Sequence, residues 1–254
     1  MLQQNFLANG ENMNESLKNI KAMTFDVFGT VVDWRSSVSR EVSKIIKSHV
    51  ADLNTDDFAD EWRAGYGPSM NKVRTGQLPW MKIDDLHRII LDDLLKEYKI
   101  DQLTEDEKVD LNHAWHRLDP WADSVEGLTL LKQNYVISTL SNGNVSLLVN
   151  MAKFGGLPWD TILSAELCHH YKPDNEAYLS TSQFLGFPIE EIMMVAAHKG
   201  DLSSAKKNGM LTAYIPRPQE FGPNTQIDDK TEDYIDIVAK DIIDLATKLD
   251  KLRD

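Results

Sequence analysis

The sequence predicts an α/β protein with a Rossmann-like parallel-sheet core and an inserted helical cap domain. Three observations carry this. Short apolar runs alternate with helical patterns from residue 119 onward, as in a parallel sheet covered on both faces. A lone apolar run, Ile20 to Phe25, precedes a long stretch with helical periodicity alone. The chain, 254 residues with 42% hydrophobic content, is long enough for one large domain carrying an insert.

The elements follow in order. Residues 1–20 begin polar and rich in Asn and Gln, with no basic start leading into an apolar run, and are expected to be a disordered leader rather than a secretory signal. Residues 21–35 and 119–254 are assigned to the core and residues 36–118 to the cap. The first strand ends at Asp26, ahead of the turn residues Gly29-Thr30. In the cap, Val38, Val42, Ile45 and Ile46 recur at helical spacing, as do Leu86, Ile89, Ile90, Leu94 and Leu95. Thr55-Asp56-Asp57 and Thr104-Glu105-Asp106-Glu107 have the acidic first turns of helix starts, and no strand is expected between residues 36 and 118. Strands are then expected at 135–140, 161–164, 192–197, 211–215 and 234–238. Helices are expected at 125–133, 145–154, 176–185, 202–208 and 239–252.

Composition excludes several classes of function. A net charge of −13 argues against a nucleic-acid partner, which would need basic surface. No apolar stretch approaches membrane-spanning length, so no membrane partner is expected and the cytoplasm is the default location. The lone cysteine, Cys168, forbids an internal disulfide. It has His169 and His170 beside it, but adjacent residues on a strand face opposite ways and no further metal-ligand cluster is near, so no metal site is assigned.

Ligands of open parallel sheets bind beyond the carboxyl ends of the strands. Asp26 and Thr30 follow the first strand, Ser141 and Asn142 the second, Lys172 the third, and His198 and Asp201 the fourth. A carboxylate can attack electrophilic carbon or phosphorus and form a covalent intermediate. A lysine beside it would keep it ionised and attract an anionic substrate. Singly, each residue also reads as a turn or cap. Together, in order and at strand ends, they point to a hydrolase with Asp26 as nucleophile.

Four segments, Phe25-Asp26-Val27-Phe28-Gly29-Thr30, Leu140-Ser141-Asn142-Gly143-Asn144, Tyr171-Lys172-Pro173-Asp174 and Val195-Ala196-Ala197-His198-Lys199-Gly200-Asp201, resemble the haloacid dehalogenase superfamily. Within it the chain is most similar to the type II 2-haloacid dehalogenases. The superfamily's phosphatases resemble one another in having a second Asp two residues after the nucleophile, as acid to the leaving group. Here that residue is Phe28. A halide leaves as a stable anion and needs no proton, whereas an alkoxide does. Glu61-Trp62-Arg63 resembles the segment bearing the family's halide-binding arginine, and Tyr178 resembles a family tyrosine near the lysine. A surface arginine and a core tyrosine are the plainer readings of those two.

The resemblance implies a 2-haloacid substrate, attack by Asp26, Lys172 holding it ionised, and Asp201 and His198 at the hydrolytic water. Thr30, Phe28, Arg63, Ser141, Asn142 and Tyr178 are implied as substrate-binding residues, with no metal or other cofactor, and a homodimer is the family's suggestion. One departure stands out: some members have Ser-Ser-Asn-x-Trp-Asp where this chain has Ala196-Ala197-His198-Lys199-Gly200-Asp201. His198 could help activate water or could make a structural hydrogen bond. The alternatives are a magnesium-dependent phosphatase of the same superfamily and a non-catalytic binding protein on the same fold.

Overall fold

The computed structural model describes residues 15–223, 230 and 232–253. Of the expected leader, residues 1–14 lie outside the described residues, while Leu17 and Ile20 are buried against the core. Six strands form one parallel sheet: β1 (Ala22–Phe25), β4 (Val136–Ser141), β5 (Thr161–Ser164), β6 (Ile192–Ala196), β7 (Leu211–Tyr214) and β8 (Ile237–Val238). Their spatial order is β5-β4-β1-β6-β7-β8. β1 is therefore central, with Phe25 opposite Thr139 on one side and Val195 on the other. Strand order reverses at β1, which opens a crevice at its carboxyl end.

Side chains alternate between the two faces of each strand. Met23, Phe25, Met193 and Val195 enter one hydrophobic cluster, and Ala22, Ile192, Met194 and Ala196 enter the other. That two-sided burial explains why these strands read as unbroken apolar runs.

Four helices, α1 (Trp34–Ile46), α2 (Thr55–Arg74), α3 (Ile83–Glu97) and α4 (Glu105–Asn112), intervene between β1 and the rest of the core. Their starts have local causes. Asn54 accepts from the N–H groups of Asp56 and Asp57. Thr104 and Glu107 form a reciprocal capping box. A short ribbon, β2 (Val32–Asp33) against β3 (Asp119–Pro120), ties together the two ends of this helical excursion. The ribbon lies outside the sequence expectation, because pairs of residues this short leave no periodic signal and Pro120 reads as a breaker.

The remaining helices are α5 (Ser124–Lys132), α6 (Val145–Gly155), α7 (Ala165–Cys168), α8 (Asn175–Leu185), α9 (Lys199–Lys207) and α10 (Ile242–Arg253). Cys168 ends α7 instead of lying on a strand, and the expected strand at 234–238 is reduced to β8. Among the described residues no helix is long and apolar enough to cross a membrane.

Candidate active site

The carboxyl ends of β1, β4, β5 and β6 bring the candidate residues together. Asp26 lies one residue past β1, its N–H donating to Val195 O on β6 (3.0 Å), so the sheet ladder fixes its backbone. Its carboxylate is buried and fully engaged. Oδ1 accepts from Lys172 Nζ at 3.0 Å, and Oδ2 accepts from Thr30 Oγ1 at 2.8 Å and meets His198 Nδ1 at 2.9 Å. Thr30 in turn accepts from Ala197 N–H (2.9 Å), which pins the β1 turn to the β6 turn.

Lys172 Nζ also reaches Asp201 Oδ2 at 2.5 Å, and the Tyr178 hydroxyl donates to Asp201 Oδ1 at 2.6 Å. Lys172 is held from behind by Asn142, whose amide accepts from Lys172 N–H (2.7 Å) and donates to Lys172 O (3.3 Å). His198 and Asp201 sit at the start of α9, facing the site across the end of β6.

Electrostatics follow from this geometry. Burial pushes the Asp26 carboxyl up, but Lys172, His198 and Thr30 outweigh it and hold Asp26 well below the usual carboxylate range. Burial disfavours the Lys172 ammonium, but Asp201 and Asp26 more than offset it and raise its pKa. His198 is likewise opposed by burial yet carried up to about 10 by Asp26 and Glu220. Burial raises Asp201, with Lys172 opposing. The site thus holds an ionised Asp26 carboxylate between the Lys172 and His198 side chains.

The cavity, about 310 Å³, is lined by Asp26, Asn142, Lys172, His198 and Asp201 at its polar end. Phe28, Tyr66 and Tyr178 form apolar wall, and Arg63 reaches in from α2. The Arg63 guanidinium carbon lies 4.2 Å from the Tyr66 ring centroid and 5.6 Å from that of Trp34. Its Nη1 is buried with no hydrogen-bond partner, a cationic donor available to an anion. Phe28 stands edge-on to Tyr66 and Trp115, so it contributes shape and no proton.

Two expected residues differ in place. Ser141 does not line the cavity; its hydroxyl accepts from Gly143 N–H (3.1 Å) and shapes the β4 loop. Thr30 acts behind Asp26 rather than at the cavity wall. Sequence reasoning also missed Glu220, buried in the turn that follows β7, where it meets His198 Nε2 at 3.0 and 3.1 Å. The strand-end rule reaches that turn, but a single glutamate among Pro, Gln and Gly carries no pattern of its own.

A magnesium ion, as the alternative phosphatase reading would require, is held by one or two carboxylates with water and substrate oxygens around them, and Asp26 and Asp201 are the carboxylates at this site. Asp26 and Asp201 are bridged by the Lys172 ammonium. Among the described residues no group of three His, Cys, Asp or Glu side chains is arranged to hold a metal ion.

Fold and site together define a class: an α/β hydrolase with a buried carboxylate at the switch point of a parallel sheet and an arginine approaching from inserted helices. A family profile described as haloacid dehalogenase-like hydrolase matches residues 20–209. The crystal structure of the defluorinating L-2-haloacid dehalogenase Rha0230 is 45% identical, with a TM-score of 0.88 over 91% of this chain and 95% of its own. That of the L-2-haloacid dehalogenase PA0810 is 41% identical, with a TM-score of 0.87 over 91% and 99%. (S)-2-haloacid dehalogenase 4A of Burkholderia cepacia is 28% identical over 216 residues, 81% of this chain and 89% of its own. The chain belongs to the haloacid dehalogenase-like hydrolases.

Proposed function

We propose that this enzyme hydrolyses 2-haloacids to 2-hydroxy acids through an ester on Asp26. The observation that carries the reading is the pairing of an ionised, buried Asp26 with an unpartnered Arg63 Nη1 across one apolar-walled cavity. In this reading residues 36–118 form the cap over core residues 21–35 and 119–254. The substrate carboxylate is held by the remaining Asn142 amide N–H and by backbone N–H groups of the β4 loop. Asp26 attacks the adjacent carbon in line, the carbon–halogen bond breaks, and the halide leaves with the electron pair toward Arg63. Inversion follows at a chiral carbon. Water then attacks the Asp26 ester carbonyl, flanked by Asp201 and His198.

Lys172 keeps Asp26 anionic for attack, and Phe28 supplies a dry wall where a phosphatase would need an acid. The names of the similar proteins support this substrate class. A phosphatase reading is disfavoured by the same Phe28, which stands where that reaction would need an acid.

Halide release is expected from chloro-, bromo- and fluoroacetate and from one enantiomer of 2-chloropropionate, unaffected by a chelator. In heavy-oxygen water under single turnover, the label should enter Asp26. Label passing straight into product would sink the covalent route. Chelator-sensitive phosphate release with no halide release would move the function to the phosphatases.

A further inference from the structure

Two residues flank the ester, and the geometry separates their roles. Both oxygens of Asp201 are committed, one to Lys172 and one to the Tyr178 hydroxyl, and forming the ester breaks neither bond. His198 stands differently. Its Nδ1 faces Asp26 Oδ2 at 2.9 Å, and that partner loses its charge when Asp26 is alkylated. Its Nε2 faces both oxygens of Glu220, at 3.0 and 3.1 Å.

Glu220 is placed by several independent contacts. Trp34 Nε1 donates to its Oε1 at 3.2 Å. Its own N–H donates to Arg217 O, and Arg217 is clamped to the core through Thr30 O (2.8 Å) and Asp123 (2.6 and 2.8 Å). Its carboxylate lies so close over Gly29 that a Cβ there would sit 2.1 Å from Oε1. The nucleophile turn is built around this glutamate.

We propose that Glu220 and His198 form a carboxylate–imidazole pair that serves the second half of the reaction, with His198 as general base toward the ester on Asp26 and Glu220 as the residue that positions it. The proposal rests on the dehalogenase reading. Protons balance over the cycle. In the resting enzyme His198 is the imidazolium paired with ionised Asp26. Alkylation neutralises Asp26, and His198, partly open to solvent, gives its proton to water. Neutral His198, its Nε2 side oriented by Glu220, then takes a proton from the attacking water through Nδ1. As the tetrahedral adduct collapses, the ester C–O bond breaks and the departing alkoxide takes that proton, yielding the hydroxy acid. The Asp26 carboxylic acid returns its own proton to His198, which restores the resting ion pair. One proton and one halide are released for each water consumed.

The test is a rapid-quench experiment with bromoacetate that reads halide release and, by intact mass, ester on the protein. The unaltered chain should release halide with little ester standing. In Glu220→Gln, ester hydrolysis should fall by about a hundredfold, in the range of general-base contributions, while the halide burst falls far less, so the ester accumulates. His198→Asn should accumulate it too. Glu220→Asp, which keeps the charge but draws it back by one methylene, should accumulate an intermediate amount, and it serves alone if the glutamine variant does not fold. Equal slowing of halide release and ester hydrolysis, or turnover in Glu220→Gln like that of the unaltered chain, overturns the proposal. An unaltered chain that releases no halide overturns the dehalogenase reading itself, a failure recognisable because no burst is seen in any variant.

Discussion

At Gly29 the backbone has φ +82°, a region costly for residues with a Cβ, and the space such an atom would fill holds the Glu220 carboxylate. Gly29→Ala is therefore expected to destabilise the fold by about 1–3 kcal/mol from the backbone alone, measured by urea unfolding. It should also displace Glu220 from His198, which the accumulation of ester would reveal. His198 gives a second expectation at this scale. Asp26 is one of the two carboxylates holding its pKa up at about 10. Asp26→Asn removes that charge, so an NMR titration of the imidazole should show a pKa moved down toward the ordinary 6.5. No movement would mean that Glu220 alone holds the proton. Asp26, Lys172, His198 and Asp201 were legible in sequence because strand ends locate them. Glu220 was not, because a burial and contact pattern, not a local motif, selects it.

Helix α2 shows the same contrast within one element. It carries two glycines, and helical glycine is unfavourable relative to alanine by roughly 0.5–1 kcal/mol. At Gly65 a Cβ would come 2.6 Å from Ile90 on α3, so this glycine exists to let the two helices approach. At Gly67 a Cβ would meet nothing within 4 Å beyond its own chain neighbours, but the residue before Pro68 is disfavoured in helical backbone once it bears a Cβ, and glycine relieves that clash. Gly65→Ala should then lower the unfolding midpoint by an amount equivalent to about 1–3 kcal/mol through overpacking. An unchanged or raised midpoint would refute the packing account of Gly65. Elements themselves were largely readable: apolar spacing located α1 and α3, and acidic first turns located the starts of α2 and α4. The β2–β3 ribbon was not readable, since its pairing joins residues on opposite sides of the whole helical insert.

Over the whole molecule, two histidines bend stability in opposite directions. His87 is fully buried, stacked on Trp115 with ring centroids 4.2 Å apart, and both ring nitrogens lack partners. Burial, reinforced by Arg63, pushes its pKa down to about 3 from an ordinary 6.5, so the native state refuses a proton that the unfolded chain accepts. Its effect is a loss of stability as pH falls from 6.5 toward 3. His198 is raised, so its contribution is full below pH 6.5 and is lost as pH climbs toward about 10. Asp26, held low, contributes above its ordinary value of 3.8 and is lost as pH falls below that. His87→Phe, which keeps a stackable ring, should flatten the acid limb of the stability curve without altering the alkaline limb, read from urea midpoints across pH. An unchanged acid limb would show that His87 is not its source.

The sequence by itself determined the alternation of strands and helices, the inserted helical stretch, and the position of a carboxylate at the end of the first strand. Those are local consequences of apolar periodicity, capping and turn chemistry, which act over a few residues. Only the tertiary structure decided which charges meet. Sheet order sets β1 between β4 and β6, with β5 and β7 outside them, and the connections beyond these strands bring Lys172 between Asp26 and Asp201 and His198 between Asp26 and Glu220. Protonation depends on burial and on charges a few ångströms away, whatever their separation along the chain. Asp26 could be named from its neighbours in sequence, but its lowered pKa and the raised pKa of His198 are properties of the folded site.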